Sequence, residues 1–149
     1  MSETLTGILR ALLGSFAGTV GFAMLVHVPK KSWLPCGLIA ALSYLVYWLL
    51  TAVAGLADPI GIFAGSLVGS VIGQLSARKM KTIATVFVMA AVVPVVPGLG
   101  LYRMMALLGK GNMAAGGSQG IAAMITIAMI VLGISMGSFI DRLFNHRSS

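Results

Sequence analysis

Long apolar stretches separated by short polar connections dominate the pattern of this chain. About 20 consecutive apolar residues make one membrane-crossing helix, and the sequence divides into five such stretches. The predicted spans are residues 5–28, 34–56, 59–77, 82–98 and 120–140. Residues 109–120, which are rich in glycine, alanine and serine, are expected to form a loop before the fifth span. The pattern therefore predicts an all-α integral membrane protein with five transmembrane helices, in which residues 1–149 form a single transmembrane domain.

The fourth span is interrupted near its far end by two prolines and two glycines, in the run Pro94-Val95-Val96-Pro97-Gly98-Leu99-Gly100. Each proline removes a backbone N–H donor, and its ring clashes with a carbonyl one turn earlier. Backbone groups that are freed in this way cost several kcal/mol when they face lipid. We therefore expect the break to lie inside protein or beside water.

Two polar side chains, Tyr102 and Arg103, follow the break directly. A charged group beside irregular backbone is how many transporters build a polar site within a membrane. Arg10 lies about 8 Å into the first span, where its head group either reaches the surface or faces an anionic substrate. Tyr102 and Arg103 leave a similar choice open, because both also suit the membrane interface. The predicted substrate path is Pro94, Pro97, Gly98, Gly100, Tyr102, Arg103 and Arg10.

Glycines recur at intervals of four in the third span. On a helix this spacing makes one smooth stripe. Small residues matter in lipid because helices there associate through close backbone approach rather than through a hydrophobic drive. Tight helix packing is the favoured interpretation, and a sliding or pore-lining face is the alternative. The full set of predicted packing positions is Gly14, Gly18, Gly61, Gly65, Gly69, Gly73, Gly133 and Gly137.

The composition agrees with a lipid environment. The chain has 149 residues, of which 58% are hydrophobic and 9% charged, whereas a soluble domain carries roughly 25% charged residues. Cys36 is the single cysteine, which excludes a disulfide within the chain and a cysteine-rich metal site. The sequence has neither an HExxH motif nor a serine with a convincing base beside it. No cofactor, metal or enzymatic activity is therefore predicted.

The net charge of +7 indicates membrane orientation rather than nucleic-acid binding, because most basic residues lie between the spans. Five spans place seven of them on one side: Lys30, Lys31, Arg78, Lys79, Lys81, Arg142 and Arg147. Arg103 and Lys110 fall on the other side. By the positive-inside tendency, the C-terminus is predicted to be cytoplasmic and the N-terminus to lie outside.

Two segments resemble the threonine/serine exporter family. The first comprises residues 21–31 (GFAMLVHVPKK) and 34–39 (LPCGLI), and the second, residues 84–105, contains a PxxPGxxxYxxM-like pattern from Pro94 to Met105. The resemblance implies the small five-helix half of an exporter in a bacterial cytoplasmic (inner) membrane, working with a separately encoded larger membrane subunit. The family's substrates include threonine and serine, and a two-chain branch is associated with export of succinate.

Together these observations predict a membrane subunit of a secondary exporter for small carboxylate-bearing metabolites. No nucleotide-binding loop is present in the sequence, so an ion gradient or the substrate gradient would supply the energy. Two alternatives stay open. One is a structural or assembly subunit that contacts no substrate, and the other is a homo-oligomeric channel formed by copies of this chain.

Overall fold

The fold is built from α-helices, in agreement with the predicted class. A computed structural model describes residues 2–146, and for residues 2–5, 11 and 144–146 it describes the backbone only. Arg147, which was counted in the predicted cytoplasmic charge, lies outside the described residues. The helices are α1 (Ser2–Leu25), α2 (Trp33–Trp48), α3 (Asp58–Met80), α4 (Ala84–Val92), α5 (Gly98–Gly109) and α6 (Met113–His146). Short 3-10 turns cover Lys30–Ser32 and Val93–Val95, and a π-helical segment, Leu49–Val53, extends α2.

Four of these helices are long and apolar enough to cross a membrane, and a fifth crossing requires α4 and α5 together. With its 3-10 turn, α4 rises about 18 Å at ~1.5 Å per residue, which is less than the ~30 Å of a hydrocarbon core. The segments Ala84–Val95 and Gly98–Gly109 form one pair that is bent by 51°. The predicted interruption of the fourth span is therefore present as a sharp bend.

The third helix is central, because α2, α4 and α6 all pack against it. Its glycine stripe faces neighbouring backbone at short range. A Cβ built at Gly65 would lie 2.8 Å from the carbonyl oxygen of Ser43 in α2, and one at Gly73 would lie 3.2 Å from the backbone of Phe87 in α4. Helices approach this closely only where glycine omits the side chain, so the stripe sets the spacing between α3 and its neighbours.

Buried polar side chains of α3 and the half-buried Ser138 connect α3 to α6. We call Ser66, Ser70, Gln74 and Ser138 the polar seam. The Gln74 amide nitrogen donates to the hydroxyls of Ser70 (3.2 Å) and Ser138 (3.1 Å). The Ser70 hydroxyl donates to the carbonyl of Ile134 (3.3 Å), and Ser66 bonds within α3. Every member of the polar seam therefore has a hydrogen-bond partner, as a polar group within a membrane requires.

The predicted loop over residues 109–120 is wrong, because α6 already begins at Met113. Only residues 110–112 separate α5 from α6. The side-chain oxygen of Asn112 accepts the amide of Ala115 at 3.1 Å, which caps the start of the helix. Gly116 then packs against Leu108 of α5. The glycines of this segment therefore permit helix–helix contact, and tertiary packing overrides their low helix propensity.

Candidate functional site

The bend between α4 and α5 leaves irregular backbone where the chain turns. After the 3-10 turn, Val96 is extended (φ −61°, ψ 131°), and α5 starts at Gly98. In an unbroken helix the amides of residues 94 and 97 would bond to the carbonyls of Ala90 and Val93. Both positions are proline, so neither residue can supply such an amide. The 3-10 turn over Val93–Val95 and a bond from the Val96 amide to the carbonyl of Val92 (3.1 Å) replace the regular helical pattern here.

A cavity of about 310 Å³ lies between this bend and α1. We call it the bend cavity, and its six lining residues are Gly14, Ser15, Gly18, Thr19, Val93 and Pro94. Four of them come from α1 and two from the turn after α4. A Cβ built at Gly14 or Gly18 would meet nothing within 4 Å. These two glycines therefore leave the cavity open on its α1 side.

The side chain of Thr19 is fully buried, with 0% of its surface exposed, and its hydroxyl has no hydrogen-bond partner among the described residues. Helical threonines often donate to a carbonyl one turn earlier, as Thr126 does to Ala122 at 3.0 Å. An unpaired buried hydroxyl costs about 1–3 kcal/mol. Such a group calls for a ligand or a structural explanation, and Thr19 is one of the residues that line the bend cavity.

The two helices that meet at the bend offer opposite partial charges. The C-terminal end of α4 carries a partial negative charge, and the N-terminal end of α5 carries a partial positive one. Val93 and Pro94 place the α4 end at the cavity wall. None of the six lining residues has a titratable side chain, so hydroxyl oxygens and backbone dipoles set the electrostatics of the bend cavity.

Residues 11–140 match the family model described as Threonine/Serine exporter, ThrE. The chain belongs to the threonine/serine exporter family. The match includes the bend and all six residues of the bend cavity, and it confirms the resemblance found in the sequence. No solved structure matches this exporter chain. Members of the family are membrane exporters rather than enzymes, which agrees with the absence of a predicted enzymatic activity.

One of the seven predicted path residues of this exporter lines the bend cavity, and the other six lie elsewhere. Pro94 lines the bend cavity together with Gly14 and Gly18, which were predicted to pack helices. The others lie at or beyond the corner of the bend, or on α1: Pro97, Gly98, Gly100, Tyr102, Arg103 and Arg10. Tyr102 is 69% exposed and both arginines are exposed. None of these six residues lines the bend cavity, so their contact with substrate stays a prediction.

The predicted packing glycines also divide into two groups. Those of α3 and α6 are buried, and a Cβ built at Gly133 or Gly137 would lie 2.8 Å from atoms of α3. Gly14 and Gly18 of α1 touch no neighbouring helix at their Cβ positions. Their predicted packing role finds no counterpart within the described residues and stays a prediction for contacts with another chain.

The predicted substrate path did not include Ser15 and Thr19, which line the bend cavity. The two residues are four apart, and so are Gly14 and Gly18, which indicates a small, polar face on α1. That signal was present in the sequence. It did not reveal that this face of α1 passes the bend of the fourth crossing, because the position of one helix against another depends on tertiary packing.

A second cavity, of about 270 Å³, lies between α1, α2 and α4. Its lining side chains are apolar apart from Thr85 and the buried Cys36. Such a surface suits hydrocarbon rather than a polar metabolite. The second cavity is therefore apolar and the bend cavity is polar. Of these two, only the bend cavity coincides with the irregular backbone.

Proposed function

We propose that this chain is the small membrane subunit of a secondary exporter for small carboxylate-bearing metabolites. Threonine, serine and succinate-type dicarboxylates are the candidate substrates. Membership of the exporter family supports transport in general. The observation that carries the finer proposal is the bend cavity, because it joins a broken crossing to the unpaired hydroxyl of Thr19.

A polar solute at the bend would supply the hydrogen-bond partner that the buried hydroxyl lacks. A buried hydroxyl without a partner, such as that of Thr19, is unfavourable in a membrane unless water or a ligand satisfies it. The bend cavity has a volume of about 310 Å³ and is open to its surroundings rather than enclosed. A four-carbon metabolite with part of its hydration shell fits within such a volume. The path of transport then runs along the bend, between α1 and the α4–α5 corner.

The start of α5 supplies the attraction for a carboxylate. The first amides of a helix have no intrahelical acceptor, and with the helix dipole they favour an anion. Here the amides in question are those of Leu99 and Gly100, because the amide of Gly98 already donates to the carbonyl of Val96 at 2.8 Å. A Cβ built at Gly98 would meet nothing within 4 Å, so there is room beside this backbone. Arg103 lies one turn further along α5 and is exposed. In this mechanism Arg103 captures the carboxylate at the mouth of the path.

A larger partner subunit accounts for surfaces that this chain leaves open. Large apolar side chains remain exposed on several helices, among them Leu13 (63%) and Met124 (70%). Lipid covers such side chains equally well, but the exposed face of α1 that carries Leu9 and Leu13 also suits a helix of the partner, whereas Gly14 and Gly18 line the bend cavity. We therefore assign the α1 face to the larger half of the exporter. The charge distribution supports a cytoplasmic membrane with the N-terminus outside.

Efflux assays on arginine variants test the proposal. Cells that express this chain with its larger partner are loaded with threonine, serine or succinate, and the intracellular amounts are followed over time. We expect Arg103→Ala to slow efflux about tenfold, which corresponds to the loss of about 1.4 kcal/mol of interaction with the carboxylate. Lys110→Ala removes an exposed cation near the end of α5 and serves as the matched control.

Immunoblots of the membrane fraction keep protein amounts equal between variants. Unchanged efflux in Arg103→Ala would remove this residue from the mechanism. Equal efflux by the larger half alone in reconstituted vesicles would instead assign this chain a purely structural role.

A further inference from the structure

The second cavity lies at the end of the bundle where α1 connects to α2 and α3 connects to α4. Its lining includes Val26 and Val28 from the first of these connections and Thr85 from the first turn of α4. Val26 and Met89 are exposed, whereas Cys36 is fully buried. The cavity therefore extends from the surface of the protein to the packed contact between α1, α2 and α4.

The connection between α1 and α2 indicates how deep this cavity lies in the membrane. The indole N–H of Trp33 donates to the carbonyl of Val28 at 2.8 Å, and tryptophan rings favour the level of the lipid headgroups. Val28 also lines the cavity, so one end of the cavity lies near that level. The lining then reaches back along the chain to Phe22, about one and a half helical turns toward the hydrocarbon.

Basic side chains flank the headgroup end of the cavity on both sides. Lys30 and Lys31 follow the α1 part of the lining, Lys81 precedes the α4 part, and all three are exposed. Residues 26–32 and 78–85 contain neither Asp nor Glu. Clusters of basic residues at a membrane surface attract anionic lipid headgroups. An apolar space beneath a positive rim matches the two parts of an anionic phospholipid.

Two basic residues at this end hold a backbone conformation that favours glycine. His27 (φ 59°) and Lys81 (φ 51°) end α1 and α3 in the left-handed region, where glycine is the usual residue. The amides of the next residues, Val28 and Thr82, complete the two caps by donating to helix carbonyls, each at 2.9 Å. These caps use backbone atoms only, so they do not account for the basic side chains.

We propose that the second cavity binds one acyl chain of an anionic phospholipid, whose phosphate lies against Lys30, Lys31 and Lys81. Apolar cavities of about 150 Å³ bind benzene, so a volume of about 270 Å³ has room for part of an acyl chain. The chain supplies van der Waals contacts that an empty apolar space lacks. The bound lipid thereby links the α1–α2 connection to the start of α4.

The charges favour an anionic lipid over a zwitterionic one. A phosphatidylcholine headgroup carries a positive group beside its phosphate, and the three lysines repel that group. The two connections offer no carboxylate that could receive it. A phosphatidylglycerol headgroup carries only the negative phosphate and meets attraction alone.

Lipid binding is measured in detergent on the purified full chain, in a Trp48→Phe variant. Trp33 is then the single tryptophan, and it bonds to Val28 beside the cavity. Bromine atoms on an acyl chain quench tryptophan fluorescence on contact. We expect saturable quenching by brominated phosphatidylglycerol at a concentration about tenfold lower than brominated phosphatidylcholine requires. Equal quenching by the two lipids would overturn the proposal.

Two competitors identify the occupant. Glycerol phosphate has the anionic group without an acyl chain and should not displace the brominated lipid at matching concentration. Displacement by it would show that the acyl chain is not part of the site. The same titration is repeated with the larger half present, and quenching that disappears there would assign the cavity to a helix of that subunit, which also contradicts the proposal.

Filling the cavity locates the acyl chain. Val26→Phe places a ring in the lining and is expected to raise the apparent Kd for phosphatidylglycerol about tenfold. Val131→Phe is the matched control, because the two valines are similarly exposed (57% and 55%) and Val131 does not line this cavity. Unchanged binding by Val26→Phe would rule out the cavity as the site.

Removing a lysine locates the phosphate and separates a ligand role from a structural one. Lys81→Gly is expected to raise the apparent Kd for phosphatidylglycerol about fivefold. It should unfold at the same or a higher temperature, because glycine adopts the left-handed conformation without strain. Lys110→Gly, which removes an exposed cation after α5, is the matched control. A lower unfolding temperature would show that the Lys81 side chain stabilises the protein itself, and unchanged lipid binding would remove it from the site; either result contradicts the proposal.

Discussion

The glycine stripes of α1 and α3 have the same spacing and opposite surroundings. In α3, a Cβ at Gly65 or Gly69 would lie 2.8 Å from atoms of α2 or α4. In α1, a Cβ at Gly14 or Gly18 would meet nothing within 4 Å, and both glycines line the bend cavity. The neighbour of each stripe accounts for the difference. Intact stretches of helix lie against α3, whereas α1 faces the place where the fourth crossing turns.

The polar groups beside the two stripes show the same contrast. Every residue of the polar seam next to the α3 stripe has a hydrogen-bond partner. Thr19, next to the α1 stripe, has no partner among the described residues. In this chain, a glycine repeat lies against neighbouring helices where the adjacent polar groups are paired, and beside a cavity where the adjacent Thr19 hydroxyl is not.

The largest expected effect comes from adding a side chain to the glycine stripe of α3, which neighbouring helices cover. Gly65→Leu would drive a side chain into the backbone carbonyl of Ser43. Overpacking of this kind costs about 1–3 kcal/mol or more, out of a total stability of about 5–15 kcal/mol. We expect most of the variant to be lost from the monodisperse fraction in detergent, as measured by size-exclusion chromatography. Gly14→Leu is the matched control and should elute like the unaltered chain. Equal loss in both variants would contradict the contrast between the stripes.

Adding a side chain to the glycine stripe of α1 should affect transport rather than folding. Gly18→Leu projects an isobutyl group into the bend cavity, which has free space at that position. We expect threonine efflux to fall at least about tenfold, whereas the yield of folded protein stays unchanged. Gly21→Leu is the control, because Gly21 is equally open but does not line this cavity. Normal efflux in Gly18→Leu would show that the transport path does not run beside α1.

A smaller effect is expected within the polar seam. Ser138→Ala removes one of the two acceptors of the Gln74 amide. Hydrogen bonds between membrane helices contribute about 0.6 kcal/mol on average, so the midpoint of denaturation should fall by an amount of that order. Ser118→Ala, whose hydroxyl bonds only within α6 and is exposed, serves as the comparison. A stability gain in Ser138→Ala would show that the seam is not a stabilising contact.

Much of the architecture follows from the sequence, because each of these signals is local. Apolar runs predict the crossings, and Pro94 and Pro97 predict the interruption of the fourth crossing. The prediction fails for residues 113–120, where glycines taken for a loop allow α6 to pack on α5. The bend cavity could not be predicted because Thr19 and Pro94 are distant in the chain. Only the packing of α1 against the bend brings them together.

The polar seam also bears on the order in which the protein is made. Synthesis proceeds from the N-terminus, so α3 enters the bilayer before α6 has been translated. Until then Ser138 does not exist, and the Gln74 amide has only Ser70 of its own helix as a side-chain acceptor. Synthesis of α6 therefore completes the polar contacts of the third helix. The contact between α3 and α6 thus has to form after α3 has already entered the membrane.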